Sequence, residues 1–449
     1  MDSRKAQNDL LQALIKEATW NGQNLAEAVN AVGREAGLQL AYSRSSIGQW
    51  IAGMTPRRPV PYIVSEALSR RLGRPVALTE AGFGETATEV GQRAEGPLRR
   101  LITLAAAATD PRVRGTSAFR IYSLTRFAMS AADEGRRIST VDPLTKSMRV
   151  GRTDVESAGM MLQLFTDAGM AGGAGHVRPA LGLYLANTLA PALHAAPPET
   201  RTELLPVAAR LAHLCGLMCC DDELHGFGQQ YYRIALRLSA EAEDVGPRTL
   251  VLRAMSAQAV LLRHYDHALS LARDAVDMGA TALPAPELAS LLSQRAVARA
   301  ATRDRHGAMA DMATAQSCLE RANGTVVRGT PEATLARQRG LMLSLLGDAP
   351  KAIVQMELSV RHCTAMERHS RAITLSHIAG LQLRLGLLRE AITTWHRFLD
   401  DYPAIHSGRA RTALALLQSG IRPHQSSPAA RTLLARALSI QQRLPHLTA

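Results

Sequence analysis

The chain has 449 residues, 46% hydrophobic and 20% charged; this allows roughly three domains with a sizeable core and excludes a mainly disordered protein. Aromatics are only 4%, low for a sheet-rich fold, while Ala, Leu and Arg, all good helix formers, crowd the sequence and predict an all-α protein. The formal charge is +13, carried almost wholly by arginine since there are only four lysines, so the surface is drawn to polyanions, of which nucleic acid is the commonest.

The N-terminus, MDSRKAQNDL, has no apolar signal core. Asn8 to Ala18 carries Leu10, Leu11, Leu14 and Ile15 at helical spacing. Asn24, with Glu27 three residues on, reads as the cap of a second helix, with Leu25, Ala28, Val29 and Val32 on its inner face and a stop near Gly37. After the short connection Leu38 to Tyr42, Ser43 or Ser45 caps a third helix carrying Ile47, Trp50 and Ile51 and closed by Gly53. Pro59 to Leu72 forms a fourth, with Ile63, Val64, Ala67 and Leu68 inward and Gly73 at its end.

Six arginines stand against one acid between Arg44 and Arg74. A helix that reads a DNA groove needs short polar or guanidinium side chains on its exposed face and large apolar ones behind to seat it. Arg44, Ser45, Ser46 and Gln49 answer the first need, and Ile47, Trp50 and Ile51 the second. Arg can bond both acceptors of a guanine edge and Gln can pair with an adenine edge, while Arg57 and Arg58 follow the helix where a loop would run along phosphates. The stretch resembles the Cro/phage-repressor type of helix-turn-helix domain over about residues 7–83, although Leu25 to Ser45 is longer than the usual tight spacing. The alternative is a small helical cap domain with a solvated basic face.

Residues 84–96 are polar and glycine-rich and read as a linker. The stretch 97–152 carries eleven basic and four acidic residues. Residues 169–175, GMAGGAG, lack the GxxxxGK[ST] pattern of a nucleotide-binding loop; a tight interhelical turn is the expectation, with a backbone anion nest as the alternative. Cys215, Cys219 and Cys220 lie in an apolar helical stretch beside His213, and His225 is near. Structural zinc sites usually pair knuckles from two segments, and buried cysteine behaves as a small hydrophobe, so core packing is expected rather than a metal. Few cysteines, odd in number, also argue against a disulfide framework. Asp221-Asp222-Glu223 reads as a solvated helix start, and His362, His369 and His377 as surface or packing residues.

Beyond residue 200 the sequence repeats. Gly228, Ala268, Ala308, Ala352 and Ala391 recur at steps of 40, 40, 44 and 39, the signature of a helical-hairpin solenoid. In the last unit Ala379, Gly386, Ala391, Trp395 and Pro403 resemble a tetratricopeptide repeat, with Phe398 where such repeats carry alanine. The segment 404–449 holds six arginines and no acid.

With the repeats and the segment Asp154 to Ala190, the chain resembles the DNA-binding, tetratricopeptide-repeat transcriptional regulators of filamentous high-GC Gram-positive bacteria, proteins linked to differentiation or secondary metabolism. That resemblance implies a helix-turn-helix domain at 1–83, a linker at 84–96, a helical middle region at 97–200 and a solenoid at 201–449. It implies a cytoplasmic homodimer on double-stranded DNA, with a peptide or protein ligand in the repeat groove. No catalytic motif is present, so neither an enzyme nor a cofactor is expected, and no run approaches a membrane span. The competing reading is an interaction scaffold with a basic docking head.

Overall fold

The computed structural model describes residues 7–84, 96–124, 149–321 and 331–443. Residues 85–95 of the expected linker, and 125–148 of the basic stretch, lie outside the described residues. Every regular element among the described residues is helical, as the composition predicts. The chain divides into two units: Met1–Val155 with Leu181–Cys220 and Leu224–Glu241, and Glu156–Ala180 with Asp221–Glu223 and Ala242–Ala449.

The first unit opens with α1 (Asp9–Glu17), α2 (Gly22–Glu35), α3 (Arg44–Ile51) and α4 (Val60–Leu72). Leu11, Leu25, Val29, Ile47, Trp50, Ile63 and Leu68 form one shared core among them. Burying a side chain such as Trp50 or Ile63 contributes roughly 2–3 kcal/mol each. Asn8 caps α1 by accepting from the Leu11 amide at 3.0 Å. The cap of α2 differs from expectation. Asn21, not Asn24, caps it, accepting from the amides of Gln23 at 2.9 Å and Asn24 at 3.0 Å, while the Asn24 side chain accepts from the Asn21 amide at 3.1 Å. An amide at the third helical position closes the reciprocal box as well as a carboxylate does, so the helix begins two residues before Asn24.

Next come α5 (Pro97–Thr109), α6 (Pro111–Thr116) and a short 3-10 turn, Ala118–Arg120, that leads into extended chain. Segment 118–124 is a strap tied on both sides. Arg120 donates to the Ala36 carbonyl and, at 3.0 Å, to that of Gly37, and the Leu124 amide donates to Glu66 at 3.0 Å. Toward the other side, the Ser123 amide donates to Gln229 Oε1 at 2.9 Å and Gln229 Nε2 returns to the Ser123 carbonyl at 2.7 Å. Phe119 meets Phe227 edge to face at 6.2 Å. Arg70 fastens the crossing: it donates to both Glu35 oxygens at 2.9 and 2.8 Å, to Glu66 at 2.9 Å and to the Tyr122 carbonyl at 2.9 Å. Burial opposes its charge, yet the hydrogen bonds and charges of Glu35 and Glu66 outweigh it and raise the guanidinium above its ordinary value.

The remaining helices are α7 (Arg152–Gly172), α8 (Val177–Tyr184), α9 (Ala190–Ala195) and then pairs: α10 (Pro198–Asp221) with α11 (His225–Glu241), α12 (Val245–Leu261) with α13 (Tyr265–Gly279), α14 (Ala285–Ala301) with α15 (Arg305–Arg321), α16 (Pro331–Leu345) with α17 (Ala349–His362), α18 (Arg368–Arg384) with α19 (Leu388–Asp401), and α20 (Gly408–Ile421) with α21 (Pro428–Arg443). Among the described residues one helix, α10, is long and apolar enough to cross a membrane by length and composition, against the expectation that no run approaches a span; its Leu204, Leu205, Ala208, Leu211, Ala212 and Cys215 are buried.

The repeat register is visible in the backbone. Glu223, Arg263, Arg303, Gly347 and Gly386 all take positive φ, each two residues before the second helix of its pair. Gly228, Ala268, Ala308, Ala352 and Ala391 are each the fourth residue of that helix and are buried, where small side chains let paired helices close. Phe398, in place of an alanine, lies fully buried between Trp395 at 5.3 Å and Tyr402 at 5.5 Å.

Within the second unit, first helices pack on the first helices of neighbouring pairs, as α12 on α14 and α14 on α16. A buried polar ladder sets their alignment: Gln338 donates to Gln294 at 3.1 Å, Gln294 to Ser256 at 3.2 Å, and Ser256 to the Ala268 carbonyl at 2.8 Å. The glycine-rich stretch ends α7. There the Gly175 amide donates to the His406 carbonyl at 2.7 Å and the His406 amide to that of Gly172 at 2.7 Å. A Cβ on Gly173 would stand 2.7 Å from that His406 oxygen, so close backbone pairing is what the glycines serve.

The acidic run departs from its expected role. Asp221 closes α10 rather than opening a helix, and it is buried, accepting from Ser407 at 2.8 Å, His369 at 2.8 Å and the Ala174 amide at 3.2 Å. Those hydrogen bonds hold its carboxyl below the usual range against the burial that would raise it. Asp222 accepts from Arg178 at 2.8 Å. Charge runs are usually solvated; these two carboxylates are spent on hydrogen bonds inside the protein instead.

Candidate nucleic-acid interface

The geometry of α3 follows from its sequence. Ser43 lies in extended conformation just before it, and the Ser43 amide donates to Ser46 Oγ at 3.3 Å. Ile47 is fully buried and Trp50 is 3% exposed, with Tyr42 edge-on to Trp50 at 4.9 Å. Anchored on those two residues, the helix turns Arg44, Ser45, Gly48 and Gln49 outward, all exposed.

The long connection between α2 and α3 is stiffened by one side chain. Asn30 Nδ2 donates to the Tyr42 carbonyl at 2.8 Å and the Tyr42 amide donates to Asn30 Oδ1 at 2.9 Å. This closes eight intervening residues, 36–43, without a tight turn, so both a long α2 and a long connection account for the extended spacing. Gly33 belongs to the same device: a Cβ there would stand 2.5 Å from the Leu40 side chain.

Of the six residues singled out, Arg44, Ser45, Gln49, Arg57 and Arg58 are exposed. Ser46 is half-buried and spends its hydroxyl on the Ser43 amide; its expected outward role gives way to capping, because the third helical position points back at the helix start. Arg57 and Arg58 lie in the loop between α3 and α4, and the Arg58 guanidinium stands 5.8 Å from the Tyr62 ring centroid. Gly48 was not among the six. Nothing lies within 4 Å of where its Cβ would be, so packing inside the chain does not call for glycine there, and its place inside a short helix is the signal that could have marked it.

Cys215 and Cys219 are fully buried, and Cys220 Sγ lies 3.5 Å from Tyr232 Oη. Among the described residues no group of three or more His, Cys, Asp or Glu side chains is placed to hold a metal ion.

The SP15 N-terminal domain family model matches residues 11–84, the span that contains α1 to α4. No curated protein matches the chain. Among solved structures it is similar to a Rap protein complexed with competence and sporulation factor, at 13% identity and a TM-score of 0.42 over 98% of this chain and 99% of that one. It is also similar to a signal-transduction ATPase with numerous domains bearing a tetratricopeptide-repeat sensor, from Pyrococcus horikoshii, at 10% identity and a TM-score of 0.41; that match covers 95% of this chain and 61% of the other.

Proposed function

We propose that the chain is a DNA-binding transcriptional regulator of the cytoplasm, without catalytic activity, whose helical repeats mediate homodimerisation or the sensing of an effector such as a peptide. The observation that carries the reading is the face of α3. Arg44, Ser45 and Gln49 are exposed together on a helix seated by Ile47 and Trp50, with Arg57 and Arg58 exposed in the loop behind it. This is the division between base-edge and phosphate contacts that groove recognition needs. The strap supports the regulatory half, because the same seven residues hydrogen-bond the end of α2, α4 and α11. A change in how α11 packs has a short mechanical route to α2 and α4.

The test is selective binding. A regulator prefers its own promoter over random duplex by about a thousandfold or more. Genome-wide capture of bound DNA names the operator, and gel-shift titration at fixed salt then compares it with random sequence. Arg44→Ala with Gln49→Ala is expected to remove the preference while circular dichroism stays unchanged, since both side chains are exposed. Selectivity that survives the double change sinks the assignment of α3. The stack of helical pairs also fits a protein-interaction scaffold with a basic docking head, which would bind operator and random duplex equally.

A further inference from the structure

From α12 onward, the turns inside the helical pairs line one edge of the second unit. First helices pack on first helices, α12 on α14, α14 on α16 and α18 on α20, and α17 packs on α18. Each turn from a first helix to its second therefore lies at the same end of the stack, and contacts tie neighbouring turns together. Ala259 and Ala298, near the ends of α12 and α14, share one small core. Arg303 donates to the Leu345 carbonyl at the end of α16 at 2.9 Å, and Arg305 to that of Leu346 at 3.4 Å. A Cβ on Gly420, near the end of α20, would stand 3.1 Å from the Leu383 side chain, near the end of α18.

Arginine concentrates along this edge. Arg263, Arg303, Arg305, Arg384, Arg389 and Arg422 stand at or beside the turns, and all six are exposed. Of the carboxylates at the same turns, Asp304 lies 3.7 Å from Arg299 and Asp348 lies 3.0 Å from Lys351. Asp266 and Glu390 then remain, among the described residues, to set against six guanidinium groups. The side chains of Arg263, Arg384, Arg389 and Arg422 make neither hydrogen bond nor ion pair among the described residues. Their forks are thus open to solvent, and a guanidinium fork matches phosphate oxygens in geometry. Packed helices lie about 10 Å apart, so the cations run in file along the edge rather than over a plane. A nucleic-acid strand, with a phosphate about every 3.4 Å, offers an oxygen at each step of that file, whereas a bilayer would be met along one line only.

We propose that this edge of the repeats is a second contact for duplex DNA, one that holds the phosphate backbone without regard to sequence. It goes beyond the reading of α3, which concerns base edges, and requires no particular placement of the repeats relative to that helix.

The experiment is fluorescence anisotropy of the full-length protein with labelled random duplex, at salt from about 50 to about 200 mM. Arg263→Gln, Arg384→Gln, Arg389→Gln and Arg422→Gln combined should weaken binding about tenfold or more at the lower salt and reduce the salt slope by about 3. The same change at Arg210, Arg273, Arg361 and Arg443, exposed and none of them at a turn, should cost about threefold or less and move the slope by about 1 at most. Equal losses in the two quadruple variants reduce the effect to net charge and overturn the edge, as does an unchanged slope in the first. Should that variant not fold by circular dichroism, Arg384→Gln with Arg422→Gln decides in its place, with an expected slope reduction of about 2. If the parent binds phosphatidylserine vesicles more tightly than duplex at equal salt, and the variant loses this, DNA is overturned as the partner in favour of a membrane. The two readings fail separately: without recognition by α3 there is no preference for operator over random duplex, whereas loss of the edge lowers affinity for both and leaves their ratio unchanged.

Discussion

Gly48 stands alone on the outer face of α3, where a side chain would meet nothing of its own protein. Glycine inside a helix costs about 1 kcal/mol relative to alanine, so Gly48→Ala should raise stability by about 0.5–1 kcal/mol in a urea titration. If the open spot is there to admit a DNA strand, the same change should weaken operator binding at least tenfold. His377 makes a second residue-scale prediction. Its folded pKa, about 3, lies below its ordinary 6.5, so the unfolded chain takes up a proton that the folded one refuses. Its contribution is therefore intact above pH 6.5 and is lost as the pH falls toward 3, by up to about 1 kcal/mol per pH unit. Urea titrations at pH 7 and pH 5 should show that loss, and His377→Gln should flatten it. At this scale the sequence told much about direction and little about partners. Helical spacing was enough to face Ile47 and Trp50 inward and Arg44 and Gln49 outward. It could not reveal that Ser46 would be consumed by a cap, that Asn21 would displace Asn24, or that Asp221 would be buried, since each depends on a neighbour brought in by the fold.

Among elements, the hairpin turns are the most regular feature and contain a removable strain. Three of the five left-handed turn positions carry Glu223, Arg263 and Arg303 rather than glycine, and the left-handed region costs such residues about 1 kcal/mol. Arg263→Gly should therefore raise the stability of the repeats by about 0.5–1 kcal/mol, read as a higher urea midpoint with the slope unchanged. The strap gives a prediction of opposite sign. A Cβ on Gly226 would stand 2.3 Å from the Arg120 carbonyl carbon, so Gly226→Ala should dislodge segment 118–124. Hydrogen exchange at Ser123 and Leu124 should then quicken while α12 to α21 keep their protection. The period near 40 made the pairs legible in advance, because small residues must recur wherever two helices close. Nothing in the sequence marked the strap, whose bonds join Ser123 to Gln229 and Leu124 to Glu66 across more than fifty residues; neither partner has a periodicity that points to the other.

For the molecule as a whole, the charge of +13 favours any polyanion, so the proposed DNA recognition has to be tested as selectivity over random duplex. Arg57→Ala with Arg58→Ala should weaken operator and random DNA alike and reduce the salt slope of binding by about 2, one for each phosphate no longer neutralised. A change confined to the operator would place these arginines on bases instead. The two-sided anchoring of residues 118–124 also sets a rule for chimaeras. A foreign head grafted onto these repeats would need backbone carbonyls where Ala36 and Gly37 receive Arg120, and a carboxylate where Glu66 receives the Leu124 amide. Heads that supply those acceptors should transmit; heads that lack them should bind their sites and ignore whatever the repeats are told.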